Sequence, residues 1–153
     1  MTFARRHTLV VYRASERADA SLRRLAELAR ERGGRLTVVA LAVQEPASRG
    51  CCDTRSVLWN RIARELAQEQ LAQARAALAE NAADVELAVL AHSGRRVAET
   101  VVTEARRRQA DEIALADPSA CGLSRRERRR LDALGEDGLE RDADQLEAPR
   151  QPV

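Results

Sequence analysis

Across residues 85–118 the spacing of apolar positions changes from two to between three and four, and then back again. Val85, Leu87 and Val89 alternate with Glu86, Ala88 and Leu90, the pattern of a mostly buried strand, and the turn residues Ser93-Gly94 close it. Val97, Ala98, Val101, Val102 and Ala105 then share one helical face, with Arg95, Arg96, Glu99, Arg106, Arg107 and Arg108 mostly off it. A second short apolar run, residues 113–116, stops at Asp117-Pro118, because proline cannot continue a ladder and biases its predecessor towards extended backbone. Strand, helix and strand of these lengths predict the βαβ unit of a parallel sheet. Ligands of such sheets bind where strands give way to helices, which directs attention to residues 117–125.

The preceding chain extends the same alternation. Residues 7–12 are compact and β-branched, a first strand, and Ser15 before Glu16 is suited to cap a helix whose face is Ala18, Leu22, Leu25, Ala26 and Ala29. Gly33-Gly34 ends that helix, and the nearly unbroken apolar run 36–43 predicts a strand covered on both faces, at or near the sheet centre. Residues 44–53 hold Pro46, Ser48, Gly50 and the adjacent Cys51-Cys52, a loop. A long helix is expected over residues 54–81, its stripe traced by Leu58, Ile62, Leu66, Ala74 and Leu78 and widened by Trp59 and Leu71. The order is βαβαβαβ. It predicts a three-layer α/β/α sandwich on a mostly parallel sheet of four or five strands. Beyond Pro118 a short helix capped by Ser124 runs through Leu131 and Leu134, before Gly135 and Gly138 interrupt the pattern. One domain is expected over residues 1–135, with 136–153 an acidic tail of disordered composition.

Composition narrows the chemistry. Apolar residues make up 44% of the 153-residue chain but aromatics only 2%, so the core must be aliphatic and no platform for stacked bases is available. All 26 basic residues are arginine, which excludes a Walker lysine or a Schiff base. A net charge of +2 in a chain that is 33% charged carries no global field for nucleic acid. The arginine runs 106–108 and 125–130 are expected to be a solvated or tail-paired face, since Glu127 interrupts the second and no aromatic is interleaved. No apolar run approaches the roughly 20 residues of a membrane span. With an odd count of three cysteines and no secretory signal pattern, a reduced cytoplasm is the expected compartment. Cys51-Cys52 has no metal-ligand spacing with Cys121, and His7 and His92 lie in no order that suggests a triad, so both histidines are expected to be structural or surface residues.

Taken in order, the segments resemble the universal stress protein family, small α/β domains of the adenine nucleotide alpha hydrolase-like kind that often bind ATP. Residues 9–15 (LVVYRAS) stand where the family has a strand ending in Asp-Gly-Ser. Gly33-Gly34 with residues 36–43 looks like its Gly-Ala turn and second strand, and Gly94 through residues 110–116 (ADEIALA) looks like its Gly, helix, Ala-Asp-Leu-Ile-Val-Met-Gly. The match spans residues 7–125 in element order and departs from the family where ATP would sit. Arg13 replaces the aspartate, Ala116 and Ser119 replace the first two glycines of the Gly-x2-Gly-x9-Gly-Ser/Thr loop, and Arg129-Arg130 falls where its last Gly-Ser would be. Gly122-Leu123-Ser124-Arg125 keeps the loop's Gly-Leu-x-Arg portion.

Carried over position by position, the resemblance places binding at Arg13, Ala14, Val43, Ala116, Asp117, Ser119, Gly122, Ser124 and Arg125. Arg13 at a strand's end would reach a phosphate or carboxylate, its plainer role being a surface pair with Asp117, whose own plainer role is to start the turn at Pro118. The implied function is a non-catalytic regulatory or stress-response domain with no firm cofactor and no ATP bound in the usual way. A nucleotide site rebuilt around Arg13 and Gly122, and an arginine-rich nucleic-acid module, are the alternatives. Partners are expected to be a second copy, as a dimer, or another protein, with no membrane. The family's fifth strand, which often pairs subunits, has no counterpart, leaving the fourth strand an open edge unless the C-terminal segment covers it.

Overall fold

A computed structural model describes residues 5–45 and 54–134; Cys51, Cys52 and the acidic tail lie outside the described residues. Its elements are β1 (His7–Val11), α1 (Glu16–Glu31), β2 (Arg35–Val43), α2 (Thr54–Leu78), a short 3-10 helix (Ala79–Asp84), β3 (Val85–His92), α3 (Val97–Arg107), β4 (Glu112–Leu115) and a helix α4 over 125–134. The four strands form one parallel sheet in the order β3-β2-β1-β4. Right-handed crossovers then put α1 and α2, which step the sheet one way, on one face, and α3, which steps back across it, on the other. The two buried clusters match. Val10, Val38, Leu22, Ala67 and Leu71 fill the first layer, and Leu9, Val11, Val39, Val101 and Leu131 fill the second. This is the three-layer α/β/α sandwich, with β1 and β2 central and β3 and β4 at the edges.

Local chemistry fixes the joints. Ser15 caps α1 by accepting from the Ala18 amide at 3.0 Å. At its other end Gly33 N–H donates to Arg30 O at 3.2 Å and Gly34 N–H to Ala29 O at 2.7 Å, a Schellman closure. Gly33 turns through φ +64°, whereas Gly34 is required for space: a Cβ there would lie 2.7 Å from the Arg6 carbonyl oxygen. That neighbour is backbone and cannot swing away. Gly34→Ala is therefore expected to lower stability by about 1–3 kcal/mol. Gly33→Ala meets nothing within 4 Å and costs about 1 kcal/mol for the left-handed backbone alone. Denaturant melts of the two variants check the order.

His7 is structural, as expected from its place at a strand's start. Buried, it spans Arg108 O at 3.0 Å and Thr37 Oγ1 at 2.8 Å, while its amide donates to Asp111 Oδ2 at 2.7 Å. A carbonyl only accepts, so Nδ1 carries the proton and Nε2 accepts from Thr37.

The long helix stops at Leu78, and its apolar stripe is buried only in the second half, through Ala67, Leu71, Ala74 and Leu78. Leu58, Trp59, Ile62 and Leu66 are 55, 50, 40 and 53% exposed. Small alanines let the second half press on the sheet, while the large side chains of the first half stand beside the strand ends. Their stripe is the wall of a cleft.

Candidate functional site

The cleft holds about 440 Å³ at the carboxyl ends of β1, β2 and β3. Trp59, Ile62, Ala63, Leu66 and Ala67 of α2 form one wall, and Leu41, Val43 and Val97 with Cys121 and Leu123 of the loop after β4 form the other. Its polar side chains are few. Tyr12, Arg13, Gln70 and His92 reach it from three segments.

Each of these has a defined state. Tyr12 O–H donates to Asp19 Oδ1, and burial with that carboxylate raises the phenol well above its usual value. Gln70, which lines the cleft, accepts from the Ala14 amide through Oε1 at 2.5 Å, so its NH₂ is not spent on that bond. His92 Nδ1 accepts from the Gly94 amide at 3.0 Å, so the proton sits on Nε2. Burial pushes this imidazole below its ordinary value, against the field of the Glu127 carboxylate. The fold thus keeps His92 neutral. Its contribution to stability is full above the unfolded value of about 6.5 and is lost as pH falls from there towards the lowered folded value. Thermal melts stepped down through that window should fall more steeply for the native chain than for His92→Gln; equal slopes would contradict this.

The nine residues carried over from the resemblance divide. Arg13, Val43 and Gly122 line the cleft together, and Ala14 adjoins it through Gln70. Gly122 has φ +78°, and a Cβ there would lie 3.2 Å from Arg13 Nη1, so the guanidinium lies close over the glycine. Arg13 does not pair with Asp117, and among the described residues it makes no ion pair. Asp117 instead accepts from Ser15 Oγ at 2.9 Å, Ser119 N at 3.0 Å and Ser119 Oγ at 2.6 Å. Bonds from Ser119 and Ser15 hold its carboxyl below the usual range. It is a splice between the β1–α1 turn and the loop after β4. Ala116 is buried behind it.

Ser124 caps α4 as expected, in a capping box: its amide donates to Glu127 Oε2 at 2.7 Å and its hydroxyl accepts from the Glu127 amide at 3.2 Å. With Arg95, Arg96, Arg126 and Arg130 it borders a second, shallower depression. Arg125 is exposed and lines neither. Reading the sequence alone missed Trp59, Ile62, Leu66, Gln70 and His92. The one available signal was size, since the bulky half of the α2 stripe precedes its alanine half.

Four of the eight arginines in the two runs are engaged. Arg107 and Arg108 pair with Glu104, which they hold at about 2, and Arg108 also pairs with Glu86. Arg130 pairs with Glu99, and Arg128 Nη1 donates to Pro118 O. Among the described residues no group of three His, Cys, Asp or Glu is placed to hold a metal, and no helix is long and apolar enough to cross a membrane.

No protein-family model and no curated protein matches the chain. Solved structures do. A universal stress protein from Archaeoglobus fulgidus superposes with a TM-score of 0.55 at 21% identity, over 86% of this chain and 92% of that one. A universal stress protein from the same organism in complex with dAMP gives 0.54 at 21% identity, over 87% and 92%. A universal stress protein family member from Burkholderia pseudomallei gives 0.60 at 21% identity, over 82% and 87%. The chain has the fold of the universal stress proteins.

Proposed function

We propose that the chain is a non-catalytic regulatory domain of the universal stress kind, which responds to a small ligand held in the cleft at the strand ends. The carrying observation is how the cleft's polar groups are used. Gln70 and His92 each spend one polar atom holding backbone, Tyr12 is turned to Asp19, and among the described residues no carboxylate–histidine pair lines the space. Apolar walls with a few fixed polar groups suit binding, and about 440 Å³ falls in the range of small-ligand sites. That a protein of this fold has been captured with dAMP supports a ligand-binding role for this one.

ATP held by a glycine loop is not the favoured ligand. Ala116 is buried, and Ser119 is bonded to Asp117 through both amide and hydroxyl, so the loop closes on itself where phosphates would need its amides. The second reading is a nucleotide site rebuilt around Arg13, and the observation favouring it is the unpaired guanidinium over Gly122. Calorimetric titration of the nucleotide-stripped chain with ATP separates the two. No micromolar binding is expected; micromolar binding by the native chain that Arg13→Asp abolishes would establish the rebuilt site instead.

A further inference from the structure

The hydrogen-bonding sense of the cleft names the class of its occupant. Among the described residues the side-chain nitrogens left free there are all donors: the Arg13 guanidinium, the Gln70 NH₂, His92 Nε2–H and the Trp59 indole N–H. His92 is only 8% exposed, and its Nε2 has no hydrogen-bond partner among the described residues although the ring lines the cleft. Among the described residues no Asp or Glu side chain lines the space. A nucleoside brings an amino group that needs an acceptor and hydroxyls that both donate and accept, whereas a carboxylate is acceptor-only and matches a donor-rich set. Beside those donors stand Leu41, Val43, Ile62, Leu66 and Leu123, an apolar surface suited to a hydrocarbon body.

We infer that the cleft takes an amphipathic organic acid, its carboxylate held by Arg13 and His92 Nε2–H and its hydrocarbon body laid along the α2 wall. The inference rests on the reading of this cleft as the ligand seat and adds the ligand's chemistry. Arg13 is suited to the part because it is exposed and unpaired among the described residues, so the anion displaces water rather than an internal partner. It stands at a strand's end, in contact with Gly122, which lacks the side chain that would push it aside.

The test is calorimetric titration of the full, ligand-stripped chain with octanoate, octanol and adenosine, each repeated on Arg13→Gln, with thermal melts to confirm that the variant folds. Octanoate should bind at least about tenfold tighter than octanol, since a hydrogen bond to a charged group carries that much. Arg13→Gln should remove that advantage and leave octanol binding unchanged. Octanol binding as well as octanoate, or no effect of Arg13→Gln on octanoate, overturns the inference. Adenosine binding without octanoate binding overturns it too, yet leaves the ligand-seat reading standing. If no probe binds and sedimentation shows a dimer that Leu66→Glu dissolves, both fall, and the apolar wall is an interface between copies.

Discussion

Leu22→Ala is expected to lower the free energy of unfolding by about 3–4 kcal/mol, a large share of the roughly 5–15 kcal/mol that holds a domain of this size. Leu22 is fully buried on the inner face of α1, in the cluster with Val10, Val38 and Ala40. Part of the loss is the transfer of the leucine side chain, and part is the void left behind. The second part should be near the upper end here. Many members of that cluster are alanines, Ala18, Ala26, Ala40, Ala67 and Ala74 among them, which have no rotamers with which to fill a void, and Val10 and Val38 are β-branched and stiff. A chain with 2% aromatic residues has few large flat side chains to slide into the gap. Equilibrium denaturation in urea checks this through the midpoint at unchanged slope. A loss below about 1.5 kcal/mol would mean that the layer between α1 and the sheet relaxes far more than its packing implies.

How much of this molecule its sequence announces depends on how local each cause is. The runs that became β1 and β2, the Ser15 cap, the Gly33-Gly34 closure and the α3 stripe are legible because their partners lie within a few residues or because burial on both faces leaves no polar position to misplace. The α2 stripe misleads for the opposite reason. Periodicity records that one face of a helix is apolar; it does not record what stands opposite. Leu71 and Leu78 meet the sheet, while Leu58 and Leu66, in the same pattern, stand largely open. Asp117 was visible as a candidate but not as a splice, since its partner Ser15 is 102 positions away. Gln70 was invisible altogether, being an ordinary helix residue until the fold brings Ala14, 56 positions away, against its carbonyl. The same non-local folding that assembles the cleft hides it.

That division between the two halves of α2 yields the second large effect, this time on binding and not on folding. Leu66→Glu should leave stability within about 0.5 kcal/mol of the native chain, the usual range for exposed positions. The side chain is 53% exposed, and glutamate and leucine have similar helix propensity. On the ligand the same change acts twice. The lost apolar contact, about half of a leucine side chain, amounts to about 1–1.5 kcal/mol, or close to tenfold in affinity. A carboxylate in the wall then opposes an anionic occupant in a space with little water, adding a penalty that a neutral ligand escapes. Octanoate binding should therefore fall by well over about tenfold, with octanol losing less. Leu66→Ala, which removes the contact without adding charge, should lie between the native chain and Leu66→Glu for octanoate and should match Leu66→Glu for octanol. The opposite outcome, a destabilised Leu66→Glu chain with unaltered binding, would place Leu66 in the core and take the α2 wall away from the site.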